Sequence, residues 1–258
     1  MASNLDATSL FRVDGMVAVI TGGGTGTSPR APLPSPHSVL TAPQGIGLTM
    51  ARALAANGAK RIYILGRRLE VLNKAAQEHG QGIFTPIQCD VTSHASLQAA
   101  VDQITAETGF INLLVANSGV GGPHVSWNPS LPVSQVRANL FSQANMEATT
   151  NTLDVNVTGA FYTLVAFLEL LDAGNKNALK GGFGAPSRPG SDVPAVQSQV
   201  IVTSSIAAFS RMYMSSPAYA AGKAAILHLT KHAMTNMAPY GIRANALAPG
   251  RESSDRGC

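Results

Sequence analysis

The chain has 258 residues, of which 45% are apolar and 12% are charged, and its net charge is +4 at pH 7. This length and composition allow one large α/β domain with a buried core and exclude a disordered protein. The basic residues are scattered, so we expect no nucleic-acid partner. The longest apolar stretch is too short to span a bilayer and the first fifteen residues lack a signal-peptide core. We therefore expect a cytoplasmic protein without a membrane partner.

Short apolar runs alternate with helical patterns along most of the chain. The runs predict six strands, at residues 16–20, 61–65, 82–89, 111–116, 199–203 and 242–247. The longer patterns between them predict helices at residues 48–57, 69–79, 96–108, 152–171 and 218–237. Near-continuous apolar strands separated by helices are typical of a parallel sheet covered on both faces. We predict a doubly wound, Rossmann-type α/β fold, in a single domain over residues 1–258.

Four polar residues in the second half of the chain form the sharpest pattern. Tyr219 and Lys223 are four residues apart in the last predicted helix, and therefore share one face. An ammonium beside a phenol favours the phenolate, which suits the tyrosine to general acid/base work. Ser205 ends the preceding strand, where its hydroxyl can bond a substrate oxygen or, alternatively, cap a turn. Asn156 lies inside the long helix, where a solvated face is the alternative interpretation.

A glycine-rich turn follows the first predicted strand. It begins as Thr21-Gly22-Gly23-Gly24-Thr25-Gly26 and resumes as Gly45-Ile46-Gly47 where the first helix begins. Such glycines let the backbone approach a pyrophosphate, which binds at the positive N-terminal end of the helix. Deleting nineteen residues, either 26–44 or 27–45, joins the two halves into one uninterrupted glycine motif.

Together these residues resemble the classical short-chain dehydrogenases/reductases (SDRs), from about residue 14 to residue 250. The resemblance implies an enzyme that interconverts a small-molecule carbonyl and an alcohol with a nicotinamide cofactor. It also implies that Asn156 holds a water in a proton relay and that Ser205 orients the carbonyl. Tyr219 would be the acid/base, and Lys223 would assist it and bind the nicotinamide ribose.

The resemblance extends to further cofactor positions at the ends of other strands. The pair Asp90–Val91 resembles the family's adenine contact. The triplet Asn117–Ser118–Gly119 resembles its Asn-Ala-Gly motif, and the pair Pro249–Gly250 resembles its nicotinamide-side turn.

Arg67 and Arg68 follow the second strand, where NAD-preferring enzymes carry an acidic residue for the ribose hydroxyls. Arginine cannot accept those hydrogen bonds, but its charge and fork geometry suit a 2′-phosphate. The alternative is a loop arginine without a partner. We predict NADP(H) rather than NAD(H) as the cofactor.

Two segments depart from the family pattern. Residues 27–44 carry five prolines and interrupt the glycine-rich turn. They either loop out, since closure entropy grows only logarithmically with length, or represent translated non-coding sequence such as a retained intron. Residues 251–258 are polar, whereas the family continues with a substrate-covering segment and a seventh strand. We therefore expect the sheet to lack its last strand and turnover to be weak or absent.

Two other classes of function compete with this interpretation. One is a non-catalytic or misprocessed SDR-like protein with a broken cofactor turn, acting at most as a binding or scaffold protein. The other is a metal enzyme, suggested by His228 and His232 one helical turn apart. The glutamate of a zincin and a third ligand are missing from that pair, so we expect no metal. The resemblance implies a homo-oligomer, a dimer rather than a tetramer, and it leaves the substrate open.

Overall fold

The computed structural model describes residues 11–24, 45–80, 82–123, 128–211 and 216–250. Within these residues, six parallel strands form one sheet in the order β3-β2-β1-β4-β5-β6. The strands are Val17–Thr21 (β1), Arg61–Gly66 (β2), Phe84–Gln88 (β3), Leu113–Ala116 (β4), Gln199–Thr203 (β5) and Arg243–Leu247 (β6). The strand order reverses between β1 and β4, which creates a crevice at the carboxyl ends of the strands. The predicted doubly wound, Rossmann-type fold is confirmed.

Eight α-helices connect or follow the strands in the described residues. They are Ile46–Ala56 (α1), Leu69–His79 (α2), His94–Glu107 (α3), Val133–Leu140 (α4), Gln143–Leu153 (α5), Ala160–Ala166 (α6), Leu168–Leu179 (α7) and Pro217–Met237 (α8). A π-helical turn, Asp154–Gly159, joins α5 to α6.

The prediction of one helix over residues 152–171 was wrong. Helical structure begins at Gln143, passes through the π-helical turn and bends by 42° at Phe167 before α7 continues to Leu179. The start was missed because α5 is polar, with only Thr152 buried. The bend coincides with Phe167, which is fully buried in the hydrophobic core. Packing therefore shaped this segment more strongly than its apolar periodicity.

Most of the other predicted boundaries differ from the structure by about one or two residues. The strand predicted at 82–89 is confined to Phe84–Gln88, at the edge of the sheet, where Pro86 faces Ile64 of β2. A proline is tolerated there because an edge strand has one side without a hydrogen-bonding neighbour. The strand predicted at 111–116 begins at Leu113. Asn112 before it donates its backbone N–H to the Val17 carbonyl, but accepts the Val17 N–H on its side-chain oxygen instead of a backbone carbonyl.

The core occupies both faces of the sheet. Val17 and Val19 of β1 point toward one cluster, which includes Leu164, Phe167 and residues of α3 and α8. The alternate residues of β1 point toward a second cluster, which includes residues of α1 and α2. Period-two alternation of a fully buried strand accounts for both clusters.

Among the described residues, no single helix is long and apolar enough to cross a membrane. The bent pair Gln143–Ala166 and Leu168–Leu179 passes such a test together, by length and composition only. Its large apolar residues Leu164, Phe167 and Leu171 are buried in the first core cluster.

Gly174 lies where α7 packs closely against the residues that precede β4 and β5. A Cβ at this position would collide with the carbonyl oxygen of Ile111 and the hydroxyl of Ser198. We expect Gly174→Ala to lower the free energy of unfolding by roughly 2–3 kcal/mol, because overpacking outweighs the higher helix propensity of alanine. Chemical denaturation measures this change. Gly121→Ala, where the new Cβ meets nothing within 4 Å, is the matched control. Equal stabilities for the two variants would contradict the close approach of α7.

Candidate active site

Lys223 is the most buried charged group described for this crevice. Its side chain lies on α8, the residue is 4% exposed, and its Nζ donates a 2.6 Å hydrogen bond to the carbonyl oxygen of Thr203 at the end of β5. Burial lowers the pKa of Lys223 to about 8, because a charged ammonium loses its hydration there. The protonation of Lys223 therefore responds to small changes of pH just above neutrality.

Tyr219 lies one helical turn before Lys223, as the sequence predicts. The ammonium nitrogen of Lys223 is 5.8 Å from the centre of the half-buried Tyr219 ring. Ser216 caps the helix, since its hydroxyl accepts the N–H of Tyr219, and Pro217 occupies the first turn. The tyrosine thus sits in the first turn of a capped helix, where its backbone is fixed.

Asn156 is placed by the π-helical turn. Its side chain is buried, and its amide forms two 2.8 Å hydrogen bonds with the backbone of Val120, one accepted from N–H and one donated to the carbonyl. A Cβ built on Gly119 would lie 3.1 Å from Oδ1 of Asn156 and 3.2 Å from Nζ of Lys223. The asparagine and the lysine therefore converge on Gly119. The solvated helix face considered as an alternative for Asn156 is not what the structure shows.

The two serines at the end of β5 have different partners. Ser204 is buried and its Oγ donates a 2.8 Å hydrogen bond to the carbonyl oxygen of Lys223. Ser205 begins a 3₁₀ turn, Ile206–Phe209, and its Oγ accepts a 3.1 Å hydrogen bond from Ala207. A hydroxyl has one donor and two acceptor positions, so Ser205 can still donate its proton to a substrate oxygen. Capping and substrate binding are thus compatible at Ser205.

The described parts of the glycine-rich turn adjoin despite the interruption in sequence. Gly22 has a positive φ of +69°, and a Cβ on Gly47 would lie 2.6 Å from the carbonyl oxygen of Gly22 and 2.5 Å from Nδ2 of Asn117. Only glycine fits such an approach between β1 and the start of α1. Asn117 also donates its side-chain amide to the carbonyl of Thr21 at 3.1 Å. The end of β4 therefore holds both halves of the turn.

The threonine of the turn has a structural partner. The hydroxyl of Thr21 accepts hydrogen bonds of 3.0 Å from the backbone N–H groups of Asn117 and Ser118. Gly24 lies against α2, because a Cβ there would be 3.1 Å from Val71. Thr25, Gly26, the insert 27–44 and the tail 251–258 lie outside the described residues.

The N-terminal end of α1 suits the anionic part of a nicotinamide cofactor. Gly45 caps this helix without a side-chain hydrogen bond, and its first turn contains no acidic residue. The first backbone N–H groups of a helix without a side-chain cap are free to bind an anion. Together with the glycine cradle at Gly22 and Gly47, the residues present fit a dinucleotide whose pyrophosphate would lie at this end of Ile46–Ala56.

The expected adenine and ribose contacts lie beyond β2 and β3. Arg67 is exposed and its charge contributes to the lowered pKa of Asp90, after the larger contribution of the hydrogen bond from the N–H of Thr92. The carboxylate of Asp90 also accepts the hydroxyl of Thr92 at 2.8 Å. Arg68 is exposed and caps α2 through its backbone. Arg67 is therefore close enough to Asp90 for its charge to favour the ionised carboxylate.

Val91 and the Pro249–Gly250 turn complete the predicted positions. A Cβ on Gly159 would lie 3.1 Å from the carbonyl oxygen of Val91, so the π-helical turn contacts the end of β3 directly. The carbonyl of Pro249 accepts the N–H of Ile206, and Gly250 lies near the Ile206 side chain. The Pro249–Gly250 turn therefore borders the 3₁₀ turn that follows Ser205.

His228 and His232 lie on an exposed part of α8. The side-chain amide of Asn236 contacts the His232 ring at 3.3 Å. Within the part of the chain that the structure describes, no group of three or more His, Cys, Asp or Glu residues could hold a metal ion. The expectation of no metal stays a prediction.

Comparison with known proteins identifies the family. The model of the short chain dehydrogenase family matches residues 38–179 and 194–256. The chain belongs to the short-chain dehydrogenase/reductase family. It is 58% identical to the short-chain dehydrogenase/reductase SAT3 of Stachybotrys chartarum over 201 residues, which cover 78% of this chain and 73% of that protein. It is 42% identical to the short-chain dehydrogenase/reductase VdtF of Byssochlamys spectabilis, over 97% of this chain and 78% of that protein.

Solved structures agree with this assignment. A short-chain type dehydrogenase/reductase from Mycobacterium marinum has a TM-score of 0.67 and 26% identity, over 94% of this chain and 75% of that chain. NAD⁺-bound xylitol dehydrogenase has a TM-score of 0.66 and 26% identity, over 92% and 71% of the two chains. This SDR is thus a member of an oxidoreductase family that uses nicotinamide cofactors and small-molecule substrates. These names do not favour the alternative of a non-catalytic scaffold protein.

Sequence reasoning missed the contacts that hold the predicted side chains in this SDR. The carbonyl of Thr203, the backbone of Val120 and the hydroxyl of Ser204 each bind a predicted site residue. The first two are backbone groups and have no signature in the sequence. Ser204 does have one, since strand alternation places it on the same face as Val200 and Val202, toward α8.

The buried lysine predicts a characteristic dependence of stability on pH. Between pH 8 and 10.5 the unfolded chain keeps the Lys223 proton while the native protein loses it, so native stability rises with pH by up to about 3 kcal/mol. We expect Lys223→Met to be more stable than the native protein at pH 7. Its advantage in the free energy of unfolding should shrink across this window, as measured by urea denaturation.

The same substitution at Lys231, an exposed lysine on α8, is the control for losing a lysine from this helix. A difference between Lys223→Met and the native protein that stays constant from pH 8 to 10.5 would contradict the lowered pKa of Lys223.

Proposed function

We propose that the protein is an NADP(H)-dependent oxidoreductase that interconverts a carbonyl and an alcohol through Asn156, Ser205, Tyr219 and Lys223. The observation that carries the proposal is the convergence of Oδ1 of Asn156 and Nζ of Lys223 on Gly119, with the Tyr219 ring beside the ammonium. A buried cation next to a phenol and an uncharged amide suits proton exchange with a substrate oxygen.

Each residue has a distinct part in the proposed reaction. During reduction, the Ser205 hydroxyl donates a hydrogen bond to the substrate carbonyl, and the Tyr219 hydroxyl gives that oxygen its proton. The ammonium of Lys223 stabilises the phenolate left on Tyr219. Asn156 orders a water molecule between its Oδ1 and the Lys223 ammonium, and this water returns a proton to Tyr219. NADP(H), when bound, supplies or accepts the hydride.

The preference for NADP(H) over NAD(H) rests on Arg67. The residue is exposed and directly follows β2, where an acidic residue would serve NAD, and its charge contributes to the lowered pKa of Asp90. An arginine there favours a 2′-phosphate by charge and by paired N–H donors. Similarity to NAD⁺-bound xylitol dehydrogenase supports a nicotinamide cofactor. The preference for NADP(H) over NAD(H) is inferred from Arg67 alone.

We further propose that the protein is a cytoplasmic homodimer. Large apolar side chains are exposed on the two helices expected to pair, at Tyr162 and Val165 of α6 and at Met234 of α8. Burying such residues against a second copy would be favourable. Sedimentation equilibrium would test the assembly.

Cofactor preference is tested by titrating the protein with NADPH and NADH and following nicotinamide fluorescence. We expect saturable binding that is tighter for NADPH. Arg67→Asp should weaken NADPH binding by about 10- to 100-fold, since charge-assisted bonds to the 2′-phosphate are lost, while NADH binding is kept. Arg188→Asp, at an exposed arginine of the loop before β5, is the control of equal charge change. Equal weakening of NADPH and NADH binding in Arg67→Asp would contradict the proposed role of Arg67 in binding the 2′-phosphate.

The acid/base role is tested by substituting one tyrosine at a time. With NADPH and a panel of ketones, Tyr219→Phe should reduce kcat by about 10²- to 10⁴-fold and leave NADPH binding intact. Tyr240→Phe, at a tyrosine that is 68% exposed, should turn over like the native protein. Full activity of Tyr219→Phe would exclude this mechanism. The weak or absent turnover expected from the insert and from the short polar tail stays a prediction, which the turnover of the native protein in this assay tests.

A further inference from the structure

Strand β5 contacts Lys223 at two points. The carbonyl of Thr203 binds the ammonium at 2.6 Å, and the hydroxyl of the next residue, Ser204, binds the backbone carbonyl of the same lysine at 2.8 Å. Both ends of the lysine are therefore tied to two consecutive residues of one strand. The following residue, Ser205, carries the hydroxyl assigned to the substrate.

We propose that Ser204 is a positioning residue, which fixes the backbone of Lys223 against β5 and thereby holds the ammonium beside Tyr219 and Asn156. The inference rests on the proposed function, because it assigns a role toward Lys223 as a member of that site. Ser204 is buried and its proton is donated to the Lys223 carbonyl, so it has no donor left for a substrate carbonyl.

The burial of Ser204 argues for a specific role of its hydroxyl. The residue is 2% exposed and lies on the strand face of Val200 and Val202, which pack in the core. A buried hydroxyl is unfavourable unless it is hydrogen-bonded, whereas alanine or valine would suit this apolar face. The carbonyl of Lys223 lies within α8, and a carbonyl oxygen can accept a second hydrogen bond besides that of its helix.

Fixing the backbone matters because the lysine side chain is long. Four methylene groups separate the ammonium from the backbone, and one bond to Thr203 restrains only the far end. An ammonium has three donors, so two remain for other partners once the Thr203 carbonyl is bound. Their direction depends on where the Lys223 backbone lies relative to β5.

Polar groups from several elements lie close to Lys223. Thr203 and Ser204 face it from β5, Asn156 from the π-helical turn, Gly119 from the end of β4, and the phenol of Tyr219 from its own helix. Tyr219 is the titratable group among these neighbours. The titration of Lys223 therefore reports chiefly on its burial, which is the cause of its lowered pKa.

The experiment follows Lys223 directly by NMR of protein labelled with ¹³Cε-lysine, with Lys223→Met to assign the signal. In the native protein the Lys223 signal should titrate near pH 8. In Ser204→Ala the lysine is freed to reach water, so its pKa should rise toward the ordinary 10.5. In the ketone assay, kcat at pH 7 should fall about 10-fold, since a misplaced charge weakens acid catalysis by Tyr219.

Thr230→Val is the matched control. The hydroxyl of Thr230 is also buried and also donates a 2.8 Å hydrogen bond to a carbonyl of α8, that of Ile226, but it has no contact with Lys223. Both variants lose one buried hydrogen bond and some stability. The control should keep the native titration of Lys223 and the native kcat, so a purely structural role would affect the two variants alike.

The outcomes separate this inference from the proposed function. An unchanged titration of Lys223 in Ser204→Ala, or an equal change in Thr230→Val, overturns the positioning role. A native protein that binds no NADPH and reduces no ketone contradicts the proposed function, while the NMR titration still decides the role of Ser204. Ser204→Cys, which keeps the size of the side chain with a weak donor, is measured in parallel. If Ser204→Ala does not fold, the cysteine variant alone must show the rise in pKa.

Discussion

Burial of the Lys223 ammonium is the constraint on which the geometry of this site depends. A charge removed from water is tolerated only where polar atoms replace its hydration. At 4% exposure, the ammonium relies on the Thr203 carbonyl and on the polar side chains around Gly119. Those atoms come from β5, β4 and the π-helical turn. The contacts of the Lys223 side chain therefore constrain the positions of β5, β4 and the π-helical turn relative to α8.

Close backbone approaches make that linkage possible. Gly119 leaves the space in which Asn156 and Lys223 converge, and Gly159 lets the π-helical turn contact the carbonyl of Val91. A π-helical turn contains an extra residue relative to an α-helix, and it is frequent at functional sites. Here it carries Asn156 at the point where the helix meets the ends of β3 and β4. The same local distortion thus positions the side chain and brings its helix close to the sheet.

The sequence predicted those features that depend on local patterns. The strand Gln199–Thr203 and the helix Leu69–His79 have the predicted bounds, because apolar runs, a glycine stop and buried alternation define them. The polar first turns of α5 and the π-helical turn were missed, since tertiary packing decides both. The role of each serine at the end of β5 was only partly predictable. Alternation places Ser204 toward α8, but the partner atom is a backbone carbonyl that no pattern encodes.

The interruption of the glycine-rich turn is best judged by what holds its two ends. Gly22 and Gly47 are in contact, and Asn117 binds the carbonyl of Thr21 while lying against Gly47. These contacts belong to β1, β4 and α1, whose positions the buried sheet fixes. The entropic cost of closing a loop between fixed ends grows only with the logarithm of its length. The approach of Gly22 to Gly47, on which the proposed pyrophosphate site rests, is therefore fixed by Asn117 and the strand ends around it.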